Sequence, residues 1–111
     1  MIENPIIFDL QAKLCQTLGQ QVRLKIINQL KDGPKCVTSI AELIEIPQPS
    51  VSRHLHVLRS AGVLTRQRKG QEVYYEIASP KIVEVCEMMR EILADQELYH
   101  LKIFNLLQEE A

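Results

Sequence analysis

The sequence predicts a mainly α-helical domain that carries one small β-hairpin. Apolar residues recur at helical spacing through roughly the first sixty residues. Two short segments rich in β-branched and aromatic residues follow, at residues 63–68 and 71–77, and helical spacing returns from Pro80 onward. Because 111 residues is the length of one domain, we expect residues 1–111 to form a single unit of five or six helices with a two-stranded hairpin.

The first two helices are indicated by apolar stripes that end at turn-forming residues. Residues 5–18 carry apolar residues at helical spacing, and Gly19 is suited to ending that helix. A second helix is expected over about residues 20–31. The triplet Asp32-Gly33-Pro34 stops it, because glycine adopts the left-handed turn and proline cannot continue the hydrogen-bond ladder.

A third helix is predicted to begin near Thr38 or Ser39. Ser39 is followed three residues later by Glu42, which is the spacing of a capping box. Pro47 disfavours continuation of that helix, and Pro49 suits the first turn of the next one. Two short helices joined by such a tight turn form a helix-turn-helix.

The second helix of this pair lies within residues 48–62, QPSVSRHLHVLRSAG, and has two unlike faces. Val51, Leu55 and Leu58 line one side of the helix. The opposite side has no carboxylate and consists of Pro49, Ser52, Arg53, His56 and Ser60. A helix that is anchored on one face and polar on the other is typical of a recognition helix in the major groove of DNA.

The hairpin has a basic tip and corresponds to the wing of a winged helix. The turn is expected at Arg68-Lys69-Gly70-Gln71, and Arg66, Arg68 and Lys69 have no nearby carboxylate partner in the sequence. Residues 48–71 hold five basic and no acidic residues, whereas residues 82–111 hold seven acidic and two basic ones, although the net charge is only −1. This segregation indicates a nucleic-acid-binding surface on one part of the fold.

Composition and cysteine spacing disfavour several other classes of protein. No apolar run approaches the roughly 20 residues of a membrane span, and the N-terminus lacks the pattern of a secretion signal, so we expect a cytoplasmic protein with no membrane partner. Three widely spaced cysteines without a CxxC pair disfavour a disulfide framework and a zinc ribbon. No nucleophile–base arrangement or phosphate-binding glycine loop is visible, so an enzyme is not expected.

Three stretches of the chain resemble the ArsR/SmtB family of metal- and thiol-responsive repressors. They are LGQQVRLKIINQL, SIAELIEIPQPSVSRHLHVLRSAGVL and QEVYYEIASP, and the likeness extends over residues 14–93. The resemblance implies a homodimeric winged helix-turn-helix whose terminal helices, at residues 5–18 and 80–107, form the dimer interface. It also implies that two recognition helices, about one turn of duplex or ~34 Å apart, read a palindromic operator on double-stranded DNA.

The DNA-contacting positions of the family carry over onto the recognition helix and the wing. Gln48, Arg53 and His56 are the expected readers of base edges, and the wing is expected to contact phosphates. The complete predicted set is Gln48, Ser50, Ser52, Arg53, His56, Arg66, Arg68 and Lys69. The neighbouring His54 is expected to bond within the helix-turn-helix instead of contacting DNA.

The chain departs from each sensor site that the resemblance implies. Arsenic and lead sensors carry a Cys-Val-Cys motif where this chain has Cys36-Val37-Thr38, and one thiolate does not make a soft-metal site. The zinc-sensing positions of the family hold Ser79, Lys81, Ile92 and Asp95. The paired cysteine positions of persulfide sensors hold Asn28 and Ala94.

The cysteines are nevertheless the sensor candidates. Cys15 and Cys86 lie in the first and last helices, which the family fold packs at the dimer interface, so an oxidant, a sulfur species or a soft metal or metalloid could act there and release the operator. Cys36 is a third candidate, because a helix N-terminus can lower the pKa of a thiol. Each cysteine could instead be inert, with no cofactor bound. A regulator without an inducer and a winged-helix module that binds protein stay open as alternatives.

Overall fold

The computed structural model describes residues 4–109 and confirms a mainly α-helical fold with a β-hairpin. Within these residues, five helices and three strands follow one another along the chain. The helices are α1 (Ile6–Leu18), α2 (Gln21–Leu30), α3 (Val37–Ile44), α4 (Gln48–Ser60) and α5 (Pro80–Glu109). The strands are β1 (Lys35–Cys36), β2 (Leu64–Lys69) and β3 (Glu72–Ile77).

The hydrophobic core lies where α2, α3 and α4 meet the base of the hairpin. Val51, Leu55 and Leu58 of α4 are fully buried there, as the helical spacing predicts. The other buried members are Leu18, Ile26, Ile27, Leu30, Ile40, Val63, Leu64 and Cys86. Burying one aliphatic side chain contributes about 1.5–3 kcal/mol, so three such side chains fix the orientation of α4.

Helix α3 begins earlier than the sequence predicts. Cys36 is its N-cap residue and Val37 its first helical residue, so the predicted Ser39–Glu42 capping box is wrong. Cys36 suits the N-cap position because its backbone is extended, with φ −83° and ψ 164°. The same residue ends strand β1, and the strand and the helix therefore meet without a linker.

The turn of the helix-turn-helix depends on Glu45, whose backbone is left-handed with φ 57° and ψ 45°. The N–H of Ile46 then donates to the carbonyl oxygen of Ala41 at 3.2 Å and closes α3. Pro47 is the N-cap residue of α4. The left-handed conformation costs a residue with a side chain roughly 1–2 kcal/mol, which the packing of α3 and α4 against the core must offset.

The predicted two-stranded hairpin is confirmed, and a third strand, β1, extends it into a three-stranded antiparallel sheet. Strand β3 pairs with β2 on one side and with β1 on the other. The β1 pairing places Lys35 opposite Tyr75 and Cys36 opposite Tyr74. A strand of two residues leaves no alternating pattern in a sequence, which is why the prediction missed it. The extra strand ties the base of the wing to the start of α3.

Helices α1 and α5 leave most of their apolar side chains exposed. In the described part of α1 only Leu18 is buried, whereas Phe8 is 70% exposed. Helix α5 is one continuous element of 30 residues whose only buried residue is Cys86. The apolar stripe predicted for the first helix is therefore present, but apart from Leu18 most of it stays exposed in the protomer.

No helix within residues 4–109 combines the length and the apolar character that crossing a membrane requires.

Candidate nucleic-acid interface

Helix α4 presents its predicted reading residues to solvent. Gln48, Ser52, Arg53 and His56 are exposed, and Ser50 is half-buried. The helix cannot turn these side chains inward without exposing the three buried aliphatic residues on its opposite face. Helix α4 therefore offers a fixed row of amide, hydroxyl, guanidinium and imidazole groups, which are the donors and acceptors that read base edges.

Arg23 of α2 connects α4 to the end of α1. Its Nε donates to Nδ1 of His54 at 3.2 Å, and its Nη1 donates to the carbonyl oxygen of Thr17 at 3.1 Å. Burial lowers the pKa of His54, and the positive charges of Arg23 and Arg53 lower it further, so the neutral imidazole accepts the bond. His54 therefore bonds within the protomer, but its partner lies on α2, so the prediction of a bond inside the α3–α4 pair is wrong. The sequence did not indicate Arg23, which lies 31 positions away.

The wing places Arg66 and Arg68 on one face of the hairpin. The register pairs Leu64 with Ile77, Arg66 with Tyr75 and Arg68 with Val73. Because side chains alternate along a strand, this face runs from buried Leu64 at the base to the two exposed arginines towards the tip. Gly70, with φ 67°, supplies the left-handed residue that the two-residue turn needs.

The tip of the wing carries less positive charge than the sequence suggests. Lys69 lies opposite Glu72 in the hairpin register, so the expectation that Lys69 has no nearby carboxylate is wrong. Opposed charges of this kind attract each other by roughly 0.2–1 kcal/mol. The Nζ of Lys69 also lies 5.9 Å from the ring centroid of Tyr74. The predicted turn at residues 68–71 placed Lys69 inside the turn, and only the observed register sets Lys69 opposite Glu72. Arg66 and Arg68, which face Tyr75 and Val73, are the wing cations better placed to contact phosphates.

The three cysteines occupy different environments. Cys15 is exposed on α1, Cys36 is partly exposed at the start of α3, and Cys86 is buried in the core. Hydrogen bonds from the hydroxyls of Ser39 and Thr38 lower the pKa of the Cys36 thiol. Burial raises the pKa of the Cys86 thiol, and the charge of Arg90 opposes that shift. Cys36 is therefore easier to ionise than Cys86.

The surroundings of Cys36 do not fit a soft metal or metalloid. Its Sγ lies 3.1 Å from Oγ1 of Thr38 and 3.3 Å from Oγ of Ser39. Hydroxyl oxygens are poor ligands for the metals that prefer thiolates. Across residues 4–109, no group of three or more His, Cys, Asp and Glu side chains is arranged to hold a metal ion. The described part of one protomer therefore lacks a soft-metal site of the kind that the resemblance implies.

Comparisons with known proteins relate this geometry to a family. The model of the bacterial regulatory protein, arsR family, matches residues 20–66. The HTH-type transcriptional repressor SmtB of Mycobacterium tuberculosis is 37% identical over 79 residues, which is 71% of this chain but only 58% of SmtB. The transcriptional repressor PagR of Bacillus anthracis is 39% identical over 82 residues, covering 73% of this chain and 82% of PagR. The solution structure of a homodimeric winged helix-turn-helix DNA-binding domain, Mb0332 from Mycobacterium bovis, matches with a TM-score of 0.75 at 26% identity, covering 90% of this chain and 92% of that domain.

Proposed function

This chain belongs to the ArsR family of bacterial regulatory proteins, whose members are transcriptional regulators and not enzymes, and from that premise we propose that it represses transcription by binding duplex DNA. The observation that carries the proposal is the exposed face of α4, which has no carboxylate. Strand β2, which bears the wing arginines, packs against the same helix. We call this the reading surface, and it comprises Gln48, Ser50, Ser52, Arg53, His56, Arg66, Arg68 and Lys69. SmtB and PagR, the relatives of this chain reported above, are both named as transcriptional repressors.

The two parts of the reading surface have different roles in this proposal. Gln48, Arg53 and His56 project from a helix that fits the major groove, so they read base edges. Arg66 and Arg68 extend from a hairpin beside that helix and contact phosphates, which sets affinity and its salt dependence. Lys69 contributes less because Glu72 faces it.

The binding form in this proposal is a homodimer joined through α1 and α5. Both helices expose large apolar side chains, including Phe8, Ile92 and Leu93. Along α5 one seam alternates between spacings of four and three residues, as in a coiled coil, through Val85, Met89, Ile92, Gln96, Tyr99, Ile103 and Leu106. The matched Mb0332 domain is described as homodimeric. Two reading surfaces related by a two-fold axis would read a palindromic site with half-sites ~34 Å apart.

The proposal is tested by selecting duplexes from a randomised pool and measuring binding by fluorescence anisotropy over a salt series. We expect log affinity to fall steeply with log salt. Arg68→Gln should reduce that slope by about one phosphate contact, and Arg53→Ala should weaken discrimination between bases by about 1–3 kcal/mol. Lys25→Gln is the matched control, because Lys25 is exposed on α2 outside the reading surface. Absence of duplex binding even at low salt would contradict the proposal and favour the alternative in which this fold binds protein.

The signal that ends repression is proposed to act on cysteine thiols, with Cys15 and Cys86 as the responding pair. Cys15 is exposed on α1 and open to a soft electrophile or an oxidant. Cys86 lies on α5, the other helix with an exposed apolar surface, but it is buried and its thiol pKa is raised by burial. Cys86 would therefore react only after α5 moves relative to the core, and such a movement would also change the dimer.

Single serine variants of each cysteine test the thiol proposal. Diamide would accept the two protons and two electrons released when two thiols form a disulfide. The reagents are diamide, polysulfide and a thiophilic metal, each at a dose that makes the parent protein release the selected duplex. The proposal requires that Cys15→Ser and Cys86→Ser keep the duplex bound at that dose. Cys36→Ser is the comparison, because the structure gives that thiol the lowered pKa. If all three variants released the duplex at the same doses as the parent, a thiol signal would be contradicted.

A further inference from the structure

A groove of about 700 Å³ separates α1 from the C-terminal half of α4. This volume lies within the roughly 300–1,000 Å³ range of small-molecule sites. Its apolar lining includes Leu10, Leu14 and Val57. At helical spacing Leu10 and Leu14 lie on a different side of α1 from Phe8, the α1 residue named for the proposed dimer interface. Its charged lining consists of Lys13 and Arg23, and no carboxylate is among the residues that line it. The groove therefore combines an apolar surface with two cationic side chains and no lining carboxylate, which complements a molecule with an apolar body and one negative group.

The guanidinium of Arg23 is held in place before any ligand arrives. Its Nε and Nη1 bond to His54 and to the carbonyl of Thr17, respectively, and its Nη2 takes part in neither bond. A guanidinium fixed in this way loses little freedom when it binds an anion and pairs well with the two oxygens of a carboxylate. Lys13, exposed on α1, supplies a second cation beside the groove.

We propose that this groove binds an amphipathic organic carboxylate and that the bound ligand weakens the binding of DNA. The second half of this inference rests on the function proposed above. His56 lines the groove and also belongs to the reading surface. A carboxylate held beside His56 would repel the phosphates and compete for the imidazole. The groove would thus connect a small molecule to the recognition helix directly, without a thiol reaction.

The test uses 4-phenylbutyrate as the probe and the neutral 4-phenylbutyramide as its matched control. Titration of the DNA-free protein by calorimetry and by amide chemical shifts should give a Kd below about 1 mM for the carboxylate and binding at least about tenfold weaker for the amide. Lys13→Gln and Arg23→Gln should each weaken carboxylate binding about tenfold. Lys31→Gln, which removes a charge away from the groove, should leave binding unchanged.

Addition of 4-phenylbutyrate to the complex with a selected duplex should release DNA with a midpoint that follows the directly measured Kd. Equal binding of the amide, or unchanged binding in Lys13→Gln, would overturn the groove assignment even if Arg23→Gln failed to fold. If Lys13→Gln lowered only DNA affinity and its salt slope, the groove would be a phosphate contact and the inference would be wrong. Because the first titration contains no DNA, its result stands even if the chain binds no duplex.

Discussion

The part of the molecule that carries the reading surface, the packed half, buries most of its apolar side chains within one protomer. The part built from α1 and α5, the exposed half, leaves most of its apolar side chains open to solvent. Leu55 of α4 is completely inaccessible, but Leu93 of α5 is 62% exposed. Leucines therefore serve opposite purposes in the two halves. In the first they fix the orientation of α4, and in the second they stay exposed, where another surface could cover them. In the proposed function, the chemistry of base recognition thus belongs to the protomer, while the spacing of two reading surfaces on DNA depends on a partner.

Truncation of a leucine in the packed half should give the largest effect. Leu55→Ala removes a fully buried side chain from the centre of the core and should lower the free energy of unfolding by about 2–5 kcal/mol. Leu43→Ala is the control in the neighbouring α3, because Leu43 is 53% exposed, and it should cost less than about 1 kcal/mol. Urea unfolding at one fixed protein concentration measures both. Equal losses in the two variants would contradict the burial that separates them.

A charge placed on the exposed half should leave the fold intact and disrupt the dimer. Ile92→Glu puts a carboxylate in the proposed α5 seam and should raise the dimer Kd at least about 100-fold. Ala94→Glu adds the same charge to the same helix outside that seam and should leave the dimer Kd within about threefold of the parent. Sedimentation velocity gives the association state, and circular dichroism checks the helix content. An Ile92→Glu protein that remains a dimer would place the interface elsewhere.

The packed half was largely predictable from the sequence because its elements repeat with a clear period. Val51, Leu55 and Leu58 recur at helical spacing, and that spacing alone assigns the buried and exposed faces of α4. The features that the sequence did not predict depend on contacts between distant residues. The bond from Arg23 to His54 joins two helices, and strand β1 is too short to have a pattern.

The exposed half shows a different limit of sequence reasoning. The apolar stripe of α1 is plain in the sequence, but periodicity cannot say whether it packs within one protomer or against another. The candidate site shows the same limit on a smaller scale. The positions of Arg66 and Arg68 follow from the hairpin, whereas Glu72 opposes Lys69 only once the register of the turn is fixed.

The hydrogen bond from Arg23 of α2 to His54 of α4 should make the stability of the packed half depend on pH. The pKa of His54 in the folded protein lies below its ordinary value near 6.5 because burial and the two arginines disfavour the imidazolium. Between the folded pKa and about pH 6.5, the unfolded chain therefore binds more protons at His54 than the folded protein does, and stability rises with pH over that range. The contribution of neutral His54 is complete above about pH 6.5 and is lost as the pH falls below that value towards the folded pKa.

His54→Gln isolates this contribution, because its amide oxygen can accept the bond from Arg23 without titrating. The difference in unfolding free energy between parent and variant should change between about pH 6.5 and the lower folded pKa, and stay constant above that window. Denaturant unfolding at a series of pH values measures it, and the carboxylates and other histidines are common to both proteins. A difference that is constant down to pH 4 would show that His54 does not couple to folding.

The smallest expected effect lies in the turn that sets α4 against α3. Glu45→Gly removes the roughly 1–2 kcal/mol cost of a side chain in the left-handed conformation but adds freedom to the unfolded chain worth roughly 0.5–1 kcal/mol. We therefore expect a net gain in stability of about 0.5 kcal/mol. Glu45→Ala keeps the strain and Glu45→Gln keeps both the strain and the size, so neither variant should show the gain. A gain shared by all three would arise from the lost charge, and the helix-turn-helix would then store no backbone strain at this residue.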